Sequence, residues 1–408
     1  MKRFLLLSIF FVSNLFAQDP FEGKHQDPDM DALRKWVREK RMISVKELGG
    51  DLSLSGEVRI EYKGINEKKD GINQRGTSGA TNNPENAFDV EVNVMLDYRT
   101  DRSWAAIRIE FDNDMGVDSG TTNKLALEKA YFGGRMIDGE TFNFDGELGR
   151  RNLSDVFDSK IEFSSLFDGA LLRFNKAFES IGSYYFNLGV FLISDLHNHV
   201  GEVAEMGMLD IANTGFFIKY SIINWKKHFS DPVRNRRFNF ANSQLILGYQ
   251  GLFTKWNKYT KFYLAGLMNH LAKDLTFSDI VLSKKYRFAF YVGMSYGRIL
   301  QANDWALDVN FQYVMPQAIS DFDVGGISNG NSASIGLYTT NVNGTGVATT
   351  RANAVGFANY KGFSFDLLYA ITGNLTLLQS FEISNNQTKS FGSSIDYKRY
   401  EMEFIYAF

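Results

Sequence analysis

The chain alternates. From Leu52 to Tyr62 (LSLSGEVRIEY), Leu52, Leu54, Val58, Ile60 and Tyr62 fall on one face, and Ser53, Ser55, Glu57, Arg59 and Glu61 on the other. The period is two, as in a β-strand with one apolar and one polar face. FDVEVNVMLDY repeats it, with Phe88, Val90, Val92, Val94, Leu96 and Tyr98 set against Asp89, Glu91, Asn93, Met95 and Asp97. The final stretch, Ile395 to Phe408 (IDYKRYEMEFIYAF), places Tyr400, Met402, Phe404, Tyr406 and Phe408 on one side and Arg399, Glu401, Glu403, Ile405 and Ala407 on the other. A buried sandwich strand would not carry three unpartnered charges in successive positions on one face. A strand between lipid and a watery lumen would.

Between these runs the same pattern predicts further strands. They begin at Ala105–Phe111 (opposite Arg108 and Glu110), Leu125–Gly133 (register ambiguous), Thr141–Arg150 and Ala170–Phe174 (opposite Arg173). Others follow near Tyr184–Ile193, Ile211–Ile222, Phe240–Tyr249, Tyr259–Leu271, Tyr286–Arg298, Trp305–Met315, Ala354–Ile371 and Leu375–Ser384. The connections alternate in length. Residues 63–87 and 316–352 are long and rich in Gly, Asn, Ser or Thr, whereas Thr100-Asp101-Arg102 and Thr372-Gly373-Asn374 are tight turns. Long loops at one end and short turns at the other are the connectivity of a transmembrane up-and-down barrel. About fifteen strands are visible. Both termini on one side require an even number, so sixteen is preferred, with one strand misassigned inside 194–258. The fold class expected is all-β: a transmembrane antiparallel β-barrel over residues 51–408.

The N-terminal region reads differently. Residues 1–17 form an expected secretory signal peptide: Lys2 and Arg3, an apolar core from Phe4 to Val12, and Ala17 before the cut. Nine apolar residues are too few to span a bilayer as a helix. Residues 18–50 are a segment expected on the periplasmic side. Asp29-Met30-Asp31 opens a basic helix there that runs to about Leu48 and stops at Gly49-Gly50. It reads as a solvated lead-in to the first strand, with an oligomerisation helix, a lumen plug or an anchor as sharper alternatives.

Composition agrees with this picture and narrows the function. Glycine (36) and phenylalanine (36) are abundant in 408 residues, proline (5) is scarce, and cysteine is absent, which excludes disulfides and thiolate chemistry. A mean hydropathy of −0.23 does not argue against a barrel, because its two faces cancel. Signal cleavage leaves 42 basic side chains (44 less Lys2 and Arg3) against 47 acidic ones, not the balance of a nucleic-acid binder. No cofactor motif, phosphate loop or nucleophile elbow is present, so the chain is read as a non-enzyme. His197 and His199 lack a third metal ligand. The basic run Trp225–Arg237 reads as a solvated loop or a contact for lipopolysaccharide or another polyanion.

The candidate chemistry is electrostatic filtering of solutes in a narrow bore. Arg150 and Arg151, at the mouth of a 152–166 loop bearing Asp155, Asp158, Lys160 and Glu162, are the candidates for a constriction; ordinary rim ion pairs are the plain alternative. Arg59, Glu61, Glu91, Arg108, Glu110, Arg173, Arg399, Glu401 and Glu403 are expected on the lumen wall, mixed enough in sign to give weak ion preference.

Asp304-Trp305 opening a strand, FQYVMPQAISDFDVGG after it, the GFSFDLLYAITGNLTL hairpin, LEKAYFGGRM, ELGRR and the aromatic end together resemble a bacterial outer-membrane porin family. The resemblance covers about half of the chain. It implies a barrel in the outer membrane, channel activity toward small hydrophilic solutes or ions, and a C-terminal strand (Phe404, Tyr406, Phe408) read by the barrel assembly machinery. Contact with outer-membrane lipid and lipopolysaccharide and a possible homo-oligomer belong to the same expectation. A non-conducting adhesin or surface-structural barrel is the alternative reading, ahead of a barrel enzyme and a soluble β-sandwich.

Overall fold

The computed structural model describes residues 43–408 apart from 48–49, 82, 117–123, 196–198, 226–238, 254–257, 278–279, 321–322, 324, 328–330, 332–339, 343–347, 351–357 and 390–392. Sixteen antiparallel strands form one closed wall. They are β1 (Gly50–Lys69), β2 (Asn86–Arg99), β3 (Ser103–Asp114), β4 (Lys124–Asp138), β5 (Phe142–Asn152), β6 (Leu166–Phe178), β7 (Gly182–Ser194) and β8 (His199–Ile211). The second half comprises β9 (Phe216–Asn224), β10 (Ala241–Phe253), β11 (Lys258–Asn269), β12 (Phe288–Gly297), β13 (Trp305–Val314), β14 (Tyr360–Ala370), β15 (Leu375–Asn386) and β16 (Ile395–Ala407). Each pairs with its sequence neighbours, and β1 closes on β16 with Glu57 opposite Ala407 and Lys69 opposite Ile395. Closure leaves no open edge, so the backbone polar groups of the wall are satisfied within it.

The faces separate as the alternation requires. On β1, Ile60 is 50% exposed while Glu57 is 4% exposed. Phe132, Phe216, Phe262, Phe363 and Phe404 likewise point away from the lumen. A continuous apolar outer face belongs against hydrocarbon, since no soluble monomer leaves so large a patch in water. Aromatic rings gather near both rims: Tyr296 packs on Trp305 at the short-turn end, and Tyr62 meets Phe88 and Tyr400 toward the long-loop end. This is the placement expected at membrane–water interfaces.

Several expectations are corrected. The strand missing between 194 and 258 is β8, whose inner face carries Gly201 and Gly207 and whose outer face includes Glu202. With small residues inside and a charge outside, its alternation is faint in sequence. The predicted strand Ile211–Ile222 divides at the turn 212–215 between β8 and β9. The first strand does not end near Tyr62 but continues to Lys69, so the first seven residues of the expected 63–87 loop are wall, followed by the short strand Ile72–Asn73. Residues 43–47, assigned to the basic helix, instead form a short strand that folds back on β1, Ile43 opposite Leu54. The rest of that helix, the signal peptide, His197 and most of the Trp225–Arg237 run lie outside the described residues. The ambiguous register of β4 has a physical cause: a bulge opposite Arg108/Ile109 shifts the pairing between Leu127 and Lys129.

Candidate functional site: an infolded loop in the barrel lumen

The loop between β5 and β6 does not leave the barrel. Gly149, three residues before the end of β5, has φ +130°, and a Cβ there would lie 2.3 Å from the Ala130 carbonyl oxygen. Only glycine lets the strand twist this way against β4. A short 3-10 turn, Leu153–Asp155, follows, and the Leu153 N–H donates to the Ser165 carbonyl at 2.9 Å to close the base of the loop. At the tip the Ser159 hydroxyl accepts the N–H groups of Ile161 (3.2 Å) and Glu162 (3.0 Å). Side-chain acceptors of this kind stabilise tight turns.

Two sets of contacts hold the loop inward. One is apolar. Leu153, Phe157, Ile161 and Phe163 are fully buried in a cluster with Phe191, Phe217, Tyr291, Ile319, Ile327 and Tyr360, contributed by the inner wall from β7 to β14 and by the segment after β13. Each such side chain stabilises the arrangement by about 1.5–3 kcal/mol. The lumen is therefore not polar all round, contrary to the simplest reading of the alternation.

The other set is polar and crosses the bore. The Asp158 N–H donates to Glu205 Oε2 on β8 at 3.0 Å, and Lys219 on β9 pairs with the Asp158 carboxylate. The Ser159 hydroxyl reaches Gln244 on β10 (2.8 Å), Asn242 donates to Glu162, and Lys160 Nζ reaches Asp308 on β13 (3.0 Å). Asp323 then takes the N–H groups of Phe163 (2.7 Å) and Ser165 (3.1 Å), holding Phe163 at φ +72°. A non-glycine residue in the left-handed region keeps that conformation only when its surroundings enforce it. Burial pushes the Glu162 carboxyl up to about 8, and the Asp323 charge beside it pushes the same way while the Asn242 amide opposes. Burial raises Asp323 to about 6 against the N–H groups of Phe163, Ser165 and Ser164, which favour its charged form.

The predicted site residues divide around this loop. Asp155 accepts from Lys129 Nζ (2.9 Å) and faces Arg151 Nε (3.8 Å). Arg151 pairs with Glu147 and lies over the Tyr131 ring at 4.5 Å, and Arg173 Nη1 meets Glu147 from the other side at 3.3 Å. Arg150 is not part of the group. It shares the outer face of β5 with Phe142 and Leu148 and makes a bidentate pair with Asp168 there, at 2.6 and 2.7 Å. Adjacent residues of a strand point to opposite faces. The constriction assignment of Arg150 is accordingly corrected; that of Arg151 keeps its inward geometry.

The remaining charges form a rack on the opposite wall. Arg59 meets Glu57 at 2.6 Å, Glu403 at 3.1 Å and Glu91 at 3.7 Å. Arg108 donates to Asn93 (2.9 Å) and lies within 3.5–3.7 Å of Glu91, Glu110 and Glu57. Lys63 joins Glu61 to Asp89, and Arg399 joins Glu382 (2.9 Å) to Glu401 (3.3 Å). The rack thus runs without a break from β15 across the β16–β1 seam to β3. Phe404, Tyr406 and Phe408 lie outside, and Phe408 exchanges two backbone hydrogen bonds with Gly56, each 2.9 Å.

Lys129, Glu205, Lys219, Gln244 and Asp323 were not among the candidates. Lys219 did leave a signal: one charge at an inner position of an otherwise apolar run, FFIKYSII. His199 points inward, its Nε2 2.9 Å from the Trp225 carbonyl oxygen, and among the described residues no group of three His, Asp or Glu is arranged to hold a metal ion.

No protein-family model matches the chain, and no curated protein does. Solved structures of similar architecture include the outer membrane channel DcaP of Acinetobacter baumannii, 11% identical with a TM-score of 0.48, covering 89% of this chain and 99% of that one. Pseudomonas putida OprB is 10% identical with a TM-score of 0.48, covering 95% and 99%. Salmonella typhi OmpF, solved with daunomycin, is 12% identical with a TM-score of 0.49, covering 90% and 100%.

Proposed function

We propose that the chain is a passive diffusion channel of the bacterial outer membrane for small hydrophilic solutes or ions. The observation that carries this reading is the infolded loop 153–165. It narrows the bore from one side and is clamped to four strands, while the wall from β15 to β3 keeps a continuous rack of charge that no loop residue covers among the described contacts. A rack of this kind sorts solutes by field and by width. Four cations on it, Arg59, Lys63, Arg108 and Arg399, face more carboxylates than they can neutralise, so the preference is a weak one for cations.

The second reading, a non-conducting surface barrel, draws on the apolar cluster that fills the lumen beside β7–β14. Conductance of the refolded protein in a planar bilayer separates the two. Stepwise current increments with modest cation preference are expected, and absence of conductance at any protein concentration overturns the channel reading.

A further inference from the structure

On the short-turn side of the loop the lumen widens into a chamber of about 260 Å³ against β5–β9, roofed by Val156 and Asp158. That is just under the ~300 Å³ at which pockets for drug-sized ligands begin. Four of the six charged residues at its lining are already matched; of the other two, Lys176 holds its Nζ over the Phe178 ring at 4.9 Å and Glu140 lies exposed in the turn after β4. Arg173 meets Glu147 at 3.3 Å, Lys219 pairs with Asp158, and Glu205 accepts the Tyr185 hydroxyl (2.7 Å) and the Asp158 N–H (3.0 Å).

The neutral groups are less occupied. Asn143 and Asn175 line the chamber, and the Asn175 amide donates to the Asn143 carbonyl at 3.2 Å, which leaves the Asn143 N–H groups and the Asn175 carbonyl oxygen without a side-chain partner among the described residues. The side chains of Asn187 and Ser183 line it without a hydrogen-bond partner among the described residues. Uncommitted amides and hydroxyls offer donors and acceptors together. A charged solute drawn to Arg173, Lys219 or Asp158 would have to break a standing ion pair and strand its partner, and an apolar one would leave the amides unpaired.

Building on the channel reading, we propose that this chamber binds a neutral polyhydroxylated solute of monosaccharide size through Asn143, Asn175, Asn187 and Ser183. The hydroxyls of such a solute supply the missing partners without disturbing the Arg173–Glu147 or Lys219–Asp158 pairs.

The test is saturation-transfer NMR with D-glucose on the full chain in detergent micelles, which does not depend on conduction. Saturable transfer to glucose is expected, with at least a tenfold weaker apparent affinity for N187L and none of that loss for R150A. If N187L does not fold, the isosteric N187D is read instead and is expected to weaken binding in the same direction. Absence of saturable transfer in the wild-type chain, or affinity unchanged in the folded Asn187 variant, overturns the site. Sodium glutamate displacing glucose at lower concentration than glucose itself binds overturns the solute class. A chain that binds glucose but carries no current in bilayers keeps the site and loses the channel.

Discussion

Arg59 sits where three carboxylates from three neighbouring strands converge, Glu57 on β1, Glu91 on β2 and Glu403 on β16. R59A takes from Glu403 its Arg59 partner and leaves Glu57 and Glu91 to Arg108. Breaking a buried pair costs about 3–5 kcal/mol, and lumen water brings this seam toward the lower figure. The expected outcome is a folded barrel with lower thermal stability and a reversal potential in a salt gradient shifted toward cations. R150A is its counterpart. Its pair with Asp168 is partly exposed on the outer face, where such pairs contribute ~0–1 kcal/mol, so stability and selectivity should both stay close to wild type. The parity that separates Arg150 from Arg151 was legible in sequence, because Phe142, Phe144 and Leu148 already assign even positions of β5 to the apolar face. The partners were not. Glu147 receives Arg151 and Arg173 from different strands, and which charges meet is a matter of register.

At the scale of the element, the loop 153–165 is a strap whose closure involves two carboxyls raised by burial. Ordinary values for Glu and Asp are near ~4.3 and ~3.9. With Glu162 raised to about 8 and Asp323 to about 6, the closed loop binds more protons than an open one across that window. Its stability is therefore fullest below about pH 4 and declines as the pH rises toward 8. Open-channel current noise should grow between about pH 5 and pH 9, and E162Q should flatten the rise. A second prediction at this scale concerns the opposite anchor. K160A frees Asp308 from its loop partner but leaves Tyr263 and Ser295 bonded to it, so the loop should loosen without unfolding the wall. Conductance should rise by a factor of about two or less, with the barrel still resistant to detergent at room temperature.

At the scale of the whole molecule, closure depends on one residue more than its size suggests. A Cβ on Gly56 would lie 2.5 Å from the Phe408 ring, so the glycine makes room for the terminal aromatic on the outer face. F408A removes the ring, and G56V displaces it while adding an apolar side chain that β1 can carry. Both should lower the folded fraction, read by heat-modifiable gel mobility, much more than they alter the conductance of the barrels that form. Equal folded fractions would refute the role of this contact.

Alternation alone determined that the chain is a barrel of two-faced strands and, on most strands, which residues look inward; on β4 and β8 it did not. A strand has period two, and each side chain's face follows from its position without knowledge of the rest. The tertiary structure decided what fills the lumen. Leu153, Phe157, Ile161 and Phe163 read in sequence as residues of a loop, yet they bury against β7–β14 because the barrel encloses them. Lys160 finds Asp308, 148 positions away, for the same reason. A loop's destination depends on the shape of the cavity it enters, and that cavity exists only once the sixteen strands have closed.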